Sequence, residues 1–283
     1  MSATTNMDVY HKTNFKCSKL ITKAYSTSFS LGIHALNKKF HDPIYAIYGY
    51  VRFADEIVDT FHGHDKEWLL DDFEKQTFKA IRDGISTNPV IHTFQSVVNQ
   101  YNLDHQLIEA FLHSMRMDLI QSYHGKQSYD DYIYGSAEVV GLMCLTVFCE
   151  GNSEVYDHLK PYARSLGAAF QKVNFLRDLK NDFENLGRIY FPNVDFTNFT
   201  HEDKLNIEHE IESDFNNALV GIRQLPEGAR FGVYLAFIYY RKLFQKIRST
   251  SPGEVTNKRI RINNMRKAYL LFTSYYQNKL NII

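Results

Sequence analysis

The hydrophobic positions of this 283-residue chain recur with the period of an α-helix in almost every segment. Leu107, Phe111, Met115 and Leu119, for example, lie one helical turn apart and predict a buried helix face. We find no run of alternating apolar and polar residues bounded by turns, as a half-buried strand would require, and no internal repeat. The pattern therefore predicts an all-α fold. The predicted helices begin near Asn14, Asp42, Asp65, Asn88, Asp104, Ser128, Asn152, His201, Pro226 and Val255.

The segments between the predicted helices are short, and none is long enough to be a linker between domains. The clearest turn segments are residues 62–65, 82–88 and 249–254. Asp42 precedes Pro43 and Asn88 precedes Pro89, which predicts that each proline occupies the first position of a helix behind a capping side chain. We predict one domain for the whole chain, with residues 1–13 as a flexible N-terminus.

One segment, residues 45–60, is unusual because its polar residues also follow the helical period. Tyr48, Arg52, Asp55 and Asp59 are spaced by four, three and four residues, so they share one stripe of a helix. An apolar stripe, which must pack inward, runs beside it. Its members are Ile47, Val51, Ala54 and Val58. The two carboxylates therefore border the core of the protein.

A second segment, residues 171–192, repeats this arrangement with Gln171, Asn174, Asp178 and Asp182 on one stripe. Two aspartates one turn apart repel each other by about 0.2–0.5 kcal/mol unless a cation lies between them. A single pair of this kind is typical of an ordinary solvated helix face. Because the pair occurs twice, each time near an arginine, the pattern predicts two helices that face each other across a cavity and bind Mg²⁺ through their carboxylates.

These motifs resemble those of the squalene/phytoene synthase family of head-to-head prenyl transferases, and most closely its bacterial phytoene synthase branch. Residues 55–59, DEIVD, are similar to the first acidic motif of the family, and residues 178–182, DLKND, are similar to the second. Residues 134–143, YGSAEVVGLM, resemble its glycine-containing central helix. Residues 25–30, YSTSFS, resemble the N-terminal segment that closes over the substrate. The resemblance covers essentially the whole chain and implies a single-domain isoprenoid-synthase helical bundle with a central active-site cavity.

The resemblance also implies roles for individual residues. The implied catalytic residues are Asp55, Asp59, Asp178, Asp182, Tyr48 and Arg52. The implied metal ligands are Asp55, Asp59, Asn174, Asp178 and Asp182, with Mg²⁺ as the ion and Mn²⁺ as an alternative. The residues implied to bind substrate are Ser26, Ser28, Phe29, Tyr134, Gly135, Ala137, Gly141, Gln171, Asn174, Arg177, Arg188, Tyr190, Tyr240 and Arg241. For the small residues of residues 134–141, the sequence alone leaves a cavity wall and tight helix packing equally open.

The implied reaction joins two molecules of geranylgeranyl diphosphate into phytoene through a cyclopropylcarbinyl diphosphate, in carotenoid biosynthesis. Diphosphate leaves only if its charge is neutralised, and the carbocation must be kept away from water. A tyrosine or the released diphosphate would serve as the final base. The implied partners are prenyl diphosphates, and we expect no nicotinamide cofactor, no nucleic acid and either a monomer or a weak homodimer.

The overall charge changes this picture little, because 32 basic residues balance 32 acidic ones. The chain from Arg241 onward is basic, however, with Glu254 as its one acid. Such an end can bind diphosphate, anionic lipid or nucleic acid, or can be an ordinary solvated face. Within it, Arg259 and Arg261 loosely resemble the family's C-terminal contribution to diphosphate binding.

The remaining composition predicts a cytoplasmic location. Three cysteines without a CxxC spacing fit a reduced compartment. The polar N-terminus lacks an apolar signal core, and the longest apolar run, residues 139–149, is too short to span a bilayer. Because the implied substrate is a lipid, we expect peripheral association with the inner face of the membrane.

Three other interpretations differ in the chemistry that they assign to the chain. A squalene or dehydrosqualene synthase would use farnesyl diphosphate, and the sequence does not reveal which chain length the cavity accepts. A non-catalytic homologue would act as a binding or assembly factor, although all four aspartates are present. Nucleic-acid binding by the basic C-terminal end lacks a recognised motif and leaves the acidic stripes unexplained.

Overall fold

The fold is all-α, as the sequence predicts. The computed structural model describes residues 5–120, 125–184, 188–192, 194–195, 198–257 and 259–261. The helices in these ranges are α1 (Asn6–Tyr25), α2 (Thr27–His34), α3 (Lys38–Asp59), α4 (Lys66–Asp83), α5 (Pro89–Tyr101), α6 (His105–Ile120), α7 (Lys126–Ile133), α8 (Val139–Cys149), α9 (Ser153–Glu184), α10 (His201–Gln224), α11 (Glu227–Arg248) and α12 (Pro252–Asn257). A π-helical segment, Tyr134–Glu138, joins α7 to α8 without a break.

Capping side chains set several of the helix starts that the sequence predicts. The side chains of Asp65 and Asn88 accept hydrogen bonds from backbone N–H groups in the first turns of α4 and α5. These N–H groups have no partner inside the helix, so the caps satisfy them. Pro89 occupies the first turn of α5, where its missing N–H costs nothing.

The predicted start of the first helix is wrong. Thr5 and Asp8 form a capping box, in which each side chain accepts a hydrogen bond from the other residue's backbone N–H. α1 therefore begins at Asn6, so residues 6–13, which we expected to be flexible, are helical. Residues 1–4 of that expected flexible segment lie outside the described residues.

The start of α3 also differs from the prediction. Asn37 caps the helix through a hydrogen bond from the backbone N–H of Lys39, and Pro43 lies inside the helix rather than at its first position. The short helix α2 was not predicted, because eight residues are too few for a clear helical period. It begins where Ser26 accepts a hydrogen bond from the backbone N–H of Phe29.

α7, the π-helical segment and α8 form one continuous helix of 24 residues, Lys126–Cys149, at the centre of the bundle. Within the described ranges, it alone is long and apolar enough to cross a membrane, with a mean hydropathy of 1.5 over its most apolar stretch. The sequence estimate missed this because it counted only residues 139–149. α3, α6 and α9 pack against this helix, and 56% of the apolar stretch is buried. Burial in the core accounts for its composition.

Glycine allows the central helix to approach its neighbours closely. A Cβ atom on Gly167 of α9 would lie 2.6 Å from the carbonyl oxygen of Ala137 in the π-helical segment. A Cβ atom on Gly135 would lie 2.5 Å from the carbonyl oxygen of Ala110 in α6. Both distances are far below van der Waals contact, so these two positions require glycine.

Gly167→Ala is expected to lower the free energy of unfolding by about 1–3 kcal/mol, because overpacking moves the backbone of two helices apart. Helix propensity alone predicts a gain of about 1 kcal/mol, so the sign of the change is informative. Denaturant unfolding measures it. Gly253→Ala in α12 is the control, because its Cβ atom would meet open space and its stability should be equal or higher. Equal stability of the two variants would contradict close packing at Gly167.

Candidate active site

A cavity of about 760 Å³ lies between α2, α3, α6, α8, α9, α10 and α11. One face of α9 forms a wall along nearly the whole of it. The residues of this face are Leu159, Tyr162, Ala163, Leu166, Gly167, Phe170, Gln171, Asn174, Phe175, Arg177, Asp178 and Asp182. The face extends for about 35 Å at 1.5 Å per residue. The cavity can therefore accommodate a long, narrow ligand.

The cavity wall changes character along α9. From Leu159 to Phe170 the lining side chains are apolar or aromatic, and from Gln171 to Asp182 they are mainly polar or charged. α3 follows the same order, because Ile44 lines the apolar part and Asp59, at the end of α3, lines the charged part. The cavity is thus amphipathic and matches a ligand with a polar head and a long apolar tail.

The two predicted polar stripes line this same cavity. All four aspartates take part, together with most of the other residues that the resemblance singles out. These residues are Ser26, Phe29, Tyr48, Arg52, Asp55, Asp59, Ala137, Gly141, Gln171, Asn174, Arg177, Asp178, Asp182, Arg188, Tyr190 and Tyr240. Helical spacing alone predicted which side chains on α3 and α9 would point the same way, and it did so correctly for both stripes.

Arginines neutralise part of the acidic charge. Arg188 forms an ion pair of 2.8 Å with Asp59, and so links the loop after α9 to the end of α3. Arg52 pairs with Asp55 at 2.5 Å and also with Glu56. The ion pairs hold the arginine side chains at the charged end of the cavity, where they can also meet an anionic ligand.

Asp178 pairs with two arginines from different parts of the chain. Arg177 lies beside it on α9, and the Nε atom of Arg259 approaches its Oδ1 atom to 2.7 Å. Arg259 follows α12, so the C-terminal part of the chain reaches the charged end of the cavity. Arg261 does not line the cavity. Several other basic residues of this region lie outside the described residues, namely Lys258, Arg266, Lys267 and Lys279.

Asp118 of α6 is a central residue of this site that sequence reasoning missed. Its carboxylate accepts a hydrogen bond of 2.7 Å from the Tyr132 hydroxyl and one of 3.2 Å from the Tyr190 hydroxyl. Arg188 donates to its backbone oxygen at 3.2 Å. Burial raises the pKa of Asp118 to about 6, although Arg188 partly offsets this shift. A carboxylate on the buried face of α6, one turn after Met115, was the signal in the sequence.

A row of amides connects α9 to two other helices. Tyr240 of α11 donates a hydrogen bond of 3.2 Å to the side-chain oxygen of Asn174. Asn174 donates to Gln171 at 3.3 Å, and Gln171 donates to the hydroxyl of Ser136 at 3.2 Å. Ser136 also lines the cavity and was not predicted. These contacts fix the orientation of both amide side chains.

Aromatic rings line the cavity where its polar and apolar parts meet. The Phe170 and Tyr240 rings stack with centroids 3.9 Å apart. The Phe29 ring lies 5.1 Å from the Tyr48 ring and 6.4 Å from the Tyr240 ring. The faces of such rings attract positive charge, so this cluster can stabilise a cationic group next to the charged end of the cavity.

Four residues that the resemblance assigned to substrate binding do not line the cavity: Ser28, Tyr134, Gly135 and Arg241. Gly135 packs on α6, and the Tyr134 ring lies 5.2 Å from the guanidinium of Arg164. The tight-packing interpretation therefore holds for Gly135. Gly141 satisfies both interpretations, since it lines the cavity and a Cβ atom there would lie 3.0 Å from the carbonyl oxygen of Ala163.

Arg241 and Ser28 lie away from the cavity because each is next to a cavity-lining residue on its helix. Arg241 forms an ion pair of 2.7 Å with Glu212 of α10 and contacts the Phe215 ring, because it is one position beyond the cavity-lining Tyr240 on α11. Adjacent residues on a helix point about 100° apart. Ser28 precedes Phe29 on α2 in the same way.

The acidic groups fit a divalent metal ion. Burial and the neighbouring charge of Asp59 raise the pKa of Asp55 to about 7. Burial and the charge of Asp178 raise the pKa of Asp182 to the same value. No group of three or more His, Cys, Asp or Glu side chains in the described ranges converges closely enough to hold an ion alone. One or two carboxylates from each helix, completed by ligand oxygens, is the arrangement that Mg²⁺ commonly adopts.

Known proteins of one family resemble the chain in sequence. A family model described as squalene/phytoene synthase matches residues 22–266. The chain is 27% identical to 15-cis-phytoene synthase of Synechococcus elongatus, over 87% of both chains. It is 28% identical to phytoene synthase of Arthrospira platensis, over 91% of both. It is 27% identical to 4,4'-diapophytoene synthase of Staphylococcus haemolyticus, over 71% of this chain and 68% of that one.

Solved structures resemble the fold. A dehydrosqualene synthase in complex with a ligand superposes with a TM-score of 0.80 and 22% sequence identity, and covers 95% of this chain and 98% of its own. A squalene synthase from Alicyclobacillus acidocaldarius superposes with a TM-score of 0.73 and 20% identity, over 85% of this chain and 95% of its own. At these identities the superpositions establish the helical architecture.

Asp182→Asn is expected to stabilise the metal-free protein at pH 7–8. The raised pKa means that the folded protein holds a proton between about pH 4 and pH 7 that the unfolded chain releases, so this carboxyl costs stability as the pH rises through that window. Asparagine mimics the protonated form, so the variant should unfold a few degrees higher near pH 8 and like the wild type near pH 4.

Thermal unfolding between pH 4 and pH 8 in the presence of a chelator measures this difference. Asp157→Asn, on the solvent-exposed side of the same helix, is the control and should show no gain that depends on pH. A constant difference between Asp182→Asn and the wild type at every pH would contradict the raised pKa.

Proposed function

The chain belongs to the squalene/phytoene synthase family, a family of prenyltransferases, and on that premise we propose that it joins two molecules of geranylgeranyl diphosphate head to head into phytoene. The observation that carries the proposal is the wall of α9, which is charged at one end and apolar for the rest of its length. A prenyl diphosphate has the same division between a charged head and a long hydrocarbon tail. In this proposal the diphosphates would lie beside the four aspartates.

At the charged end, the residues bind and neutralise diphosphate. Mg²⁺ held at this end would supply the positive charge that neutralises a departing diphosphate. Asp55, Asp59, Asp178 and Asp182 would hold the ions, with Asn174 as a further oxygen ligand. The arginines that pair with these aspartates lie at the same end of the cavity and would neutralise diphosphate oxygens. Those arginines are Arg52, Arg177, Arg188 and Arg259.

Beyond the charged end, the cavity protects the reacting carbons. Ionisation of one substrate leaves an allylic cation, and the double bond of the second attacks it to give a cyclopropylcarbinyl diphosphate. This compound loses its own diphosphate, rearranges and gives up a proton to form the central double bond. The rings of Phe29, Tyr48, Phe170 and Tyr240 face the region where positive charge would develop, and the apolar lining excludes water.

Of the two bases that the sequence left open, we favour the released diphosphate. Burial raises the pKa of Tyr48, Tyr190 and Tyr240, and the pKa of Tyr132 is raised by burial and by the charge of Asp118. Tyrosines with a raised pKa stay protonated and act as hydrogen-bond donors. The role of Tyr132 would therefore be to orient groups at the charged end, with Asp118 fixing its hydroxyl.

A second candidate is synthesis of dehydrosqualene from farnesyl diphosphate. The 27% identity with the 4,4'-diapophytoene synthase favours it. Both candidates use the same charged end of the cavity and differ only in how far the hydrocarbon tail reaches. A non-catalytic binding protein is the third, and the intact acidic motifs argue against it.

Incubation with each prenyl diphosphate separates these candidates. We expect geranylgeranyl diphosphate with Mg²⁺ to give a C40 hydrocarbon and two diphosphates without any nicotinamide reductant, as measured by mass spectrometry. Chelation of the metal should abolish the reaction. A C30 product from farnesyl diphosphate, with no C40 product, would establish the second candidate. Binding of both substrates without turnover would establish the third.

Asp178→Asn is expected to reduce turnover about 100-fold or more, because it removes a carboxylate that would hold the metal at the leaving group. The unfolding midpoint of the variant should stay within a few degrees of the wild-type value. Asp157→Asn removes a carboxylate from the same helix outside the cavity and should retain full activity. Near-normal turnover by Asp178→Asn would overturn the assigned role of this residue.

A further inference from the structure

α1 has the reverse of the usual amphipathic pattern. Its buried residues are Asn14, Ser18 and Thr22, all polar. Ser18 forms a hydrogen bond of 2.7 Å with Thr93 of α5, and a Cβ atom on Gly49 of α3 would lie 3.2 Å from the Cβ atom of Ser18. Small polar residues therefore make the close contact of α1 with the bundle. This arrangement leaves the outward face free for other residue types.

The outward face of α1 is basic and partly apolar. Lys12, Lys16, Lys19 and Lys23 are spaced by four, three and four residues, so they fall within about 60° of arc, centred about 130° from the buried residues. All four are exposed. Val9 and Leu20 lie on the same outward face, beside the lysines, with 54% and 69% of their surface exposed.

The positive charge of this face exceeds the acidic charge beside it. None of the four lysines forms an ion pair within the described ranges. α1 contains one acidic residue, Asp8, and the neighbouring helices α2 and α5 contain none. The Asp8 carboxylate is occupied in the capping box with Thr5. α3 also packs on α1 and carries four acidic residues, of which Asp55 and Asp59 line the cavity, Glu56 pairs with Arg52 and Asp42 is exposed. The lysine side chains thus present a local excess of positive charge to the outside, although the whole chain is neutral.

The C-terminal end of α1 reaches the cavity. α1 ends at Tyr25, which lines the cavity and is 51% exposed. The guanidinium of Arg52 lies 4.3 Å from the centroid of the Tyr25 ring, so Tyr25 sits at the rim beside the first acidic motif. A surface that holds α1 would therefore also lie close to this rim.

We propose that the outward face of α1 binds the surface of an anionic lipid bilayer. Lysines beside exposed aliphatic side chains match the boundary between anionic headgroups and acyl chains, where the ammonium groups stay in the headgroup layer and the aliphatic groups insert. Nucleic acid would use the lysines but not Leu20. The proposal rests on α1 itself and does not depend on which prenyl diphosphate, if any, the cavity accepts.

The test uses the full-length protein and sedimentation with vesicles, without substrate. We expect binding to vesicles with 30 mol% phosphatidylserine or phosphatidylglycerol to exceed binding to pure phosphatidylcholine at least tenfold, and to weaken with rising salt. Charge reversal of two lysines, Lys16→Glu with Lys23→Glu, should lower binding to the anionic vesicles at least tenfold.

Two controls keep the proposal open to refutation. Lys75→Glu with Lys160→Glu changes the net charge by the same amount at exposed positions on α4 and α9, and should bind vesicles like the wild type. Leu20→Ser should weaken binding at least threefold at high salt, whereas Leu205→Ser on α10, also an exposed leucine, should not. Unfolding midpoints check that every variant is folded.

The results decide between three outcomes. Loss of binding in the α1 variants alone supports the proposal, even if the protein proves inactive on both prenyl diphosphates. Equal loss in the Lys75 and Lys160 variant would overturn it, because net charge rather than α1 would then determine binding. Binding of single-stranded DNA without binding of anionic vesicles would also overturn it.

Discussion

Repulsion between carboxylates at one end of an apolar cavity is the interaction on which the rest of the site depends. Asp55, Asp59, Asp118, Asp178 and Asp182 line the same end, and three of them have a pKa raised to between about 6 and 7. Arginines from the loop after α9 and from the C-terminal part of the chain offset some of this charge. The repulsion between these carboxylates therefore destabilises the unliganded protein. A cation bound together with an anionic ligand would remove that repulsion.

The fold confines the repelling carboxylates to one end of the helix bundle. The charged groups lie near the C-terminal ends of α3, α6 and α9, and the remaining length of these helices packs in the apolar core. Gly167 and Gly135 let the central helix approach α9 and α6 to backbone contact, which makes the cavity wall rigid. Rigid walls matter because Asn174 and Gln171 can be oriented by Tyr240 and Ser136 only if their helices hold a fixed register.

The sequence predicted the parts of this site that lie on one helix and failed where several elements meet. Spacing alone identified both aspartate pairs, because residues one turn apart on a helix share a face whatever surrounds them. Asp118 and Tyr132 come from α6 and α7, and only the packing of three helices brings them to Arg188. The start of α1 was missed for a different reason: its buried residues are polar, so a search for apolar periodicity could not find it.

The continuous wall along α9 has a consequence for how this cavity can evolve. Inserting one residue near Phe170 would rotate everything beyond it by about 100° and turn either the aspartates or the apolar lining toward the outside. The charged part and the apolar part of the wall therefore face the same cavity only while the helical register of α9 is unchanged. Changes in the length of the accepted molecule should accordingly arise through replacement of individual side chains along the wall, and insertions or deletions in this helix should be rare among functional descendants.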